Sequence, residues 1–276
     1  MKLRHFYTSL MLILLTALSA EAQVTIAPTT LFLDNHNKFG TFLVLNGSNQ
    51  TQEVSIDFMF GYPASDSLGH TVMMYGDTLD AARYSIAKDM RGFPRTFTLA
   101  PQQRQVVRLT VRPRSDRDDG MYWTRIKTTS NPATQAIGET SQNGVTAQIN
   151  FRFEQITAAF YKKGKVTTGL DFKGLEAEVD STGGHIYADV ERTGNAPYLG
   201  SIFLEIQDTG GNTVAQGQSS TTVYFDDTRS VDFDASDLEP GTYTAKVTFK
   251  TQRPDIPQEQ LVQAQPITQT TTFTIR

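Results

Sequence analysis

From residue 24 onward the apolar positions recur every second residue, not every three or four. Runs rich in Val, Ile, Thr, Phe and Tyr occupy residues 24–33, 40–45, 53–60, 95–99, 105–112, 121–127 and 145–161. Turn pairs such as Asn46-Gly47 and Ala100-Pro101 separate them. A period of two over short runs with turns at such spacing predicts an antiparallel β-sandwich. The exception lies between Pro63 and Pro94, where residues 77–88 read either as a short helix or as a long decorated connection. A second set of alternating runs follows Gly164, at 175–179, 185–191, 201–207, 213–216, 221–225, 242–250 and 270–276, with Gly-rich turns between them. The chain therefore reads as all-β, with two immunoglobulin-like β-sandwich domains at residues 23–162 and 163–276. Their hinge is expected at residues 161–165, where Lys162, Lys163 and Lys165 surround Gly164.

One run departs from the others. Val145, Ala147, Ile149, Phe151 and Phe153 alternate without a fault against Thr146, Gln148, Asn150, Arg152 and Glu154. The parity then changes, with Ile156, Ala158 and Phe160 at even positions. A one-residue slip sends side chains to the opposite face, so the pattern predicts a bulge or twist near Glu154-Gln155. Either one strand serves two surfaces, partly beyond its own core, or it is a corner strand that changes sheets.

Composition narrows the functional classes. The chain has 276 residues, 38% hydrophobic and 20% charged, with a formal net charge of −4 and no cysteine. That excludes disulfide scaffolds, thiolate metal sites and cysteine nucleophiles, and gives no general nucleic-acid binder. Lys2 and Arg4, an apolar run from Met11 to Leu18 and Ala20-Glu21-Ala22 have the three-part layout of a secretory signal. Residues 1–22 are therefore expected to be a signal peptide, and no later run is apolar enough for stable membrane insertion. The mature chain is therefore expected outside the cytoplasm, whether periplasmic, secreted or at the cell surface. The charge is uneven: residues 23–161 carry 13 basic and 12 acidic side chains, residues 162–276 carry 10 and 16. Ten of the first 13 are Arg, which suggests that the first half meets a partner.

Catalytic patterns are missing. There is no G-x-S-x-G, H-E-x-x-H or phosphate-cradling glycine loop. His36, His70 and His185 are scattered and read as solvated. Residues 226–237 are acidic but lack calcium-loop order, and Val231 and Phe233 mark a strand. Asn46-Gly-Ser48 and Asn49-Gln-Thr51 match the glycosylation sequon, and Trp123, the sole tryptophan, reads as core. No enzyme activity, cofactor or metal is expected.

Three segments, in order and at matching spacing, carry a resemblance. Phe93-Pro-Arg-Thr-Phe-Thr-Leu-Ala-Pro-Gln-Gln-Arg-Gln-Val-Val-Arg-Leu109 comes first, followed by Asp116-Arg-Asp-Asp-Gly-Met-Tyr-Trp-Thr-Arg-Ile126 and the strand end Ala159-Phe-Tyr-Lys-Lys163. With them, the stretch from Gln23 to Gly164 resembles the N-terminal domain of the periplasmic pilus-assembly chaperones, the PapD-like family; the second half fits only as a generic immunoglobulin-like sandwich. In that pattern Arg117 is a structural residue.

The resemblance implies two domains in a boomerang arrangement and a chaperone that lends an edge strand to a subunit of a pilus or other surface structure. Backbone hydrogen bonds then give affinity and alternate side chains fill the subunit's pockets. It places the donor positions at Ile149, Phe151 and Phe153, within the alternating row that also holds Val145 and Ala147. It further implies an outer-membrane usher as a second partner, and an exposed apolar edge admits self-association. The family's two basic carboxylate anchors fall near Thr30 and Ala158, neither of which is charged. The alternative function is a non-chaperone binding or scaffold module of the envelope or of a secreted assembly, with the same fold.

Overall fold

A computed structural model describes residues 24–66, 69–133, 151–180 and 183–275. The expected signal segment, and Val145, Ala147 and Ile149, lie outside the described residues. The first half contains β1 (Val24–Ala27), β2 (Thr30–Asp34), β3 (Phe39–Asn46), β4 (Gln52–Met59), β5 (Tyr62–Ser65), β6 (Thr71–Met74), α1 (Thr78–Tyr84), β7 (Met90–Phe93), β8 (Thr96–Leu99), β9 (Arg104–Val111), β10 (Gly120–Pro132) and β11 (Phe153–Lys163). The second contains β12 (Thr168–Asp180), β13 (Gly183–Gly194), β14 (Tyr198–Gln207), β15 (Thr213–Val223), β16 (Asp226–Phe233), β17 (Gly241–Lys250) and β18 (Ile267–Ile275).

The alternation read from the sequence becomes two β-sandwiches. One sheet, in the order β1-β3-β9-β7, faces another ordered β2-β11-β10-β4-β8. Phe42, Val44, Ile56, Val107, Leu109, Ile126 and Tyr161 fill the space between them. In the second half, β12-β13-β16 faces β15-β14-β17-β18 over Ile186, Val190, Leu204, Val247 and Phe249. Each such side chain, taken fully from water, contributes roughly 1.5–3 kcal/mol, enough to hold a sandwich without disulfides.

The run at 24–33 is two strands rather than one. Pro28 interrupts it, and the chain crosses from one sheet to the other: β1 pairs antiparallel with β3, β2 parallel with β11. Within residues 77–88 the helical reading holds for α1, whose N-cap Asp77 accepts a hydrogen bond from the Asp80 N–H at 3.0 Å. Ahead of it, β5 and β6 form a separate two-stranded hairpin.

The predicted bulge near Glu154-Gln155 is absent. β11 pairs with β10 in one unbroken register from Ser130↔Phe153 to Gly120↔Lys163. Both parities are apolar because the strand is buried on both faces. Ala159 and Tyr161 enter the first core, while Ala158 and Phe160 enter a third cluster with Trp123, Tyr224, Leu199 and Ile256, contributed by both halves of the chain. Trp123 is buried as expected, but in this third cluster, within stacking distance of Tyr84 (4.9 Å between ring centroids) and Phe60 (5.5 Å).

The first sequon also has a structural use. Asn46 is fully buried, and its amide donates to the carbonyl oxygens of Gln50, Leu99 and Ala100 at 2.8–3.1 Å, pinning the β3 end to the turn after β8.

Candidate functional site: an open strand edge beside a cationic cleft

The β2–β11 ladder is short. It runs from Thr30↔Ala158 to Asp34↔Lys162, so among the described residues β11 has no strand on that side from Phe153 to Thr157. The Ala158 N–H donates to Thr29 O at 3.0 Å, which fixes the parity of the strand. Even-numbered residues turn their backbone groups toward the outer edge, and two further steps along the strand those residues are Ile156 and Glu154. An open edge of this kind is a template for an added strand.

The side chains at this end are apolar and exposed. Phe151 is 58% and Phe153 39% accessible, with ring centroids 6.2 Å apart, and Ile156 on the opposite face is 38% accessible. Around them lie Lys127 and Arg152, both paired with Glu154, at 3.5 and 2.9 Å. Gln155 ties the strand to β1 by donating to Val24 O at 2.7 Å.

Just beyond the open edge is a cleft of about 250 Å³ whose lining includes Thr30, Ala158, Ile156, Tyr224, Arg125, Arg253 and Asp255. The two positions that the family resemblance marks as anchors are thus neighbours, opposite one another in the ladder, and neither is basic. Two other residues bring positive charge. Arg125, on β10, donates to Gly61 O and to the Tyr224 hydroxyl at 2.9 Å. Arg253 forms a two-pronged pair with Asp255 at 2.6 and 2.7 Å and reaches Thr221 O and Thr222 Oγ1 at 3.3 Å. Burial pushes the Tyr224 hydroxyl pKa up, so the group that Arg125 touches stays neutral. Sequence reasoning missed both arginines. They lie 128 residues apart, and only folding the second half against β10 and β11 brings them together.

The hairpin β5–β6 closes the far side of this junction. Ser65 bonds Asp227 and accepts from the Thr228 N–H at 3.0 Å, while Arg229 pairs with Asp227 and donates to Thr222 O at 2.8 Å and Thr71 Oγ1 at 3.2 Å. Asp227 and Arg229 side chains are 3% and 7% accessible, so this is a buried ion pair. Burial pushes the Asp227 carboxyl up and the Arg229 guanidinium down, each opposed by its partner's charge. On the other sequence-flagged residues, Arg117 is structural as the resemblance implies. It meets Asp89 at 3.0 Å and Ser85 O at 2.6 Å and lies 4.6 Å over the Tyr122 ring.

The histidines do not converge. Two of them have carboxylate neighbours that sequence spacing did not reveal: His185 lies 2.9 Å from Asp232 and His70 3.3 Å from Asp66. Among the described residues no group of three or more His, Asp or Glu is arranged to hold a metal ion. The first eight residues of the acidic stretch at 226–237 form β16, with Val231 and Phe233 buried as the alternation predicts. No helix among the described residues is long and apolar enough to cross a membrane.

No family model matches the chain, and no curated protein matches it. Among solved structures it is similar to the YadV chaperone, with 12% identity and a TM-score of 0.47 over 92% of this chain and 100% of that one. It is similar to a CsuC–CsuE chaperone–tip adhesion subunit pre-assembly complex of Acinetobacter baumannii (10% identity, TM-score 0.46, 90% and 98% covered). A third is the CupB2 chaperone of Pseudomonas aeruginosa (9%, 0.45, 89% and 98%).

Proposed function

We propose that the chain is a periplasmic chaperone of two domains, divided at residues 162 and 163, that holds a subunit of a pilus or other surface structure by donating the open edge of β11. The observation that carries this reading is the five-residue gap in pairing among the described residues, from Phe153 to Thr157, with Phe151 and Phe153 exposed beside it. Folded chains seldom leave an apolar edge uncovered unless something is to be added to it. Backbone groups of Glu154 and Ile156 pair with a strand of the client, and Phe151 and Phe153 enter its pockets. Val145, Ala147 and Ile149, the rest of the alternating row in the sequence, lie outside the described residues. Each Phe or Ile buried in the client contributes roughly 1.5–3 kcal/mol, and no cofactor is needed.

The Thr30–Ala158 ladder step is neutral and Arg253 is paired with Asp255, so Arg125 is the group placed to meet an anionic end of the client strand. Arg125 is committed to Tyr224 and Gly61, which leaves it a fixed positive charge rather than a mobile clamp. Replacing Phe151 and Phe153 together by Arg tests the reading. The monomer stays folded and the subunit no longer co-purifies; a variant that still holds the subunit would sink it.

A further inference from the structure

The sheet that takes no part in this edge has an unusual outer face. Ladder partners point to the same side, and the pairs Thr41↔Arg108↔Phe93 and Phe39↔Thr110↔Arg91 therefore lie together on the outside, with Leu43↔Val106 and Leu45↔Arg104 beside them. Phe39 is 67%, Phe93 77% and Val106 48% accessible, although the buried face of the same strands is filled normally. Arg104 and Arg108 are exposed and form no ion pair among the described residues. Arg91 spends its guanidinium on the carbonyl oxygens of Lys88 and Met90, at 2.7 Å, and among the described residues on no carboxylate. No Asp or Glu stands at any outward position of these ladders.

We propose that this face of the first sandwich binds the surface of an anionic lipid bilayer. Charge complementarity names the occupant: three arginines without a carboxylate among them meet a surface of uniform negative charge. Phe39 and Phe93, 67% and 77% accessible, stand outward on the sheet as interfacial anchors do, Phe39 at the rim of a cavity of about 510 Å³ that it lines with Arg108. Phenyl rings enter the headgroup boundary while the guanidinium groups stay among the phosphates. The binding is peripheral and inserts no span. The outer face of β12-β13-β16 carries Glu176, Glu178, Asp189, Glu191 and Asp232, which anionic lipid repels. Because the face lies on the other sheet from β11, this inference stands or falls independently of the strand-donation reading.

The test is co-sedimentation with vesicles, using protein without residues 1–22, whose own apolar run would bind lipid; the described fold begins at Val24 and loses nothing. The protein is expected to sediment with phosphatidylcholine vesicles containing phosphatidylglycerol and to stay in solution with pure phosphatidylcholine. Each cation at an anionic surface is worth about a fivefold gain in partition, so R104Q/R108Q together are expected to lower it by about thirtyfold. F39S/F93S is expected to abolish sedimentation with its melting temperature unchanged. Failure of the unaltered protein to sediment in low salt overturns the proposal and leaves the face to a protein partner. Either double variant sedimenting like the unaltered protein overturns it as well.

Discussion

Thr30 on β2 lies directly across the parallel ladder from Ala158 on β11, at the mouth of the cleft between the two sandwiches. A charge at either position would sit within reach of Arg125 and Arg253, so the neutrality of this step belongs with the positive charge supplied from elsewhere. Ala158 is 8% accessible and packs with Phe160 and Tyr224. Ala158→Lys is therefore expected to lower the unfolding free energy by about 3 kcal/mol, through an unpaired charge buried beside Arg125 and the Arg253–Asp255 pair. Urea denaturation checks this, and an unchanged midpoint would show that the cleft has room and counter-charge for a third cation.

The Asp227–Arg229 pair fastens the β5–β6 hairpin to β16. Removing one partner leaves the other charged and buried, so Asp227→Ala is expected to cost about 3–5 kcal/mol. The double variant Asp227→Ala, Arg229→Met should recover much of that loss, because two apolar groups strand no charge. A double variant no more stable than the single one would assign the cost to Ser65 and Thr228 instead.

Arg253 holds the Asp255 carboxyl below the usual carboxylate range, chiefly by the hydrogen bond it donates. The sign follows: a depressed folded pKa adds stability above the unfolded value of about 3.9, and that stability is lost as pH falls through the folded value. An NMR titration of Asp255 from neutral to acid pH is expected to show a midpoint below 3.9. In Arg253→Met the midpoint should rise. A midpoint unmoved by that substitution would mean that Arg253 and Asp255 do not pair in solution.

Trp123 is 1% accessible and lies in the cluster built from both halves. Trp123→Ala is expected to cost about 3–5 kcal/mol, the usual range for a large buried aromatic. As the sole tryptophan, it also reports the junction directly. Its emission should be blue-shifted in the folded protein and should move red when the sandwiches separate. Red-shifted emission from the native state would contradict the packing described.

Much of this architecture was legible in the alternation. Strands, the sandwich class and the burial of Val231 and Phe233 follow from a period of two, because one face of each strand meets a core and the other meets water. The pattern misled at β11 for a definable reason. Alternation marks a face only when the other face is polar, and Ala158 and Phe160 are apolar because a second cluster covers them. A change of parity thus signalled a second buried surface, not a bulge. Pro28 was visible in the sequence, but the sheet switch it allows depends on where β2 finds its partner. The arginines of the cleft were not legible at all, since Arg125 and Arg253 are related only by the packing of one sandwich on the other.

The central claim is that the edge of β11 from Phe153 to Thr157 receives a client strand, and amide hydrogen exchange tests it most directly. In the free protein the Glu154 and Ile156 N–H groups, which face no strand among the described residues, should exchange fast, while their neighbours paired with β10 are protected. In a complex with a co-expressed surface-structure subunit, both should become protected, and F151R/F153R should lose the complex while keeping the free protein's melting temperature. A complex that forms with Glu154 and Ile156 still exchanging fast would contradict strand donation at this edge.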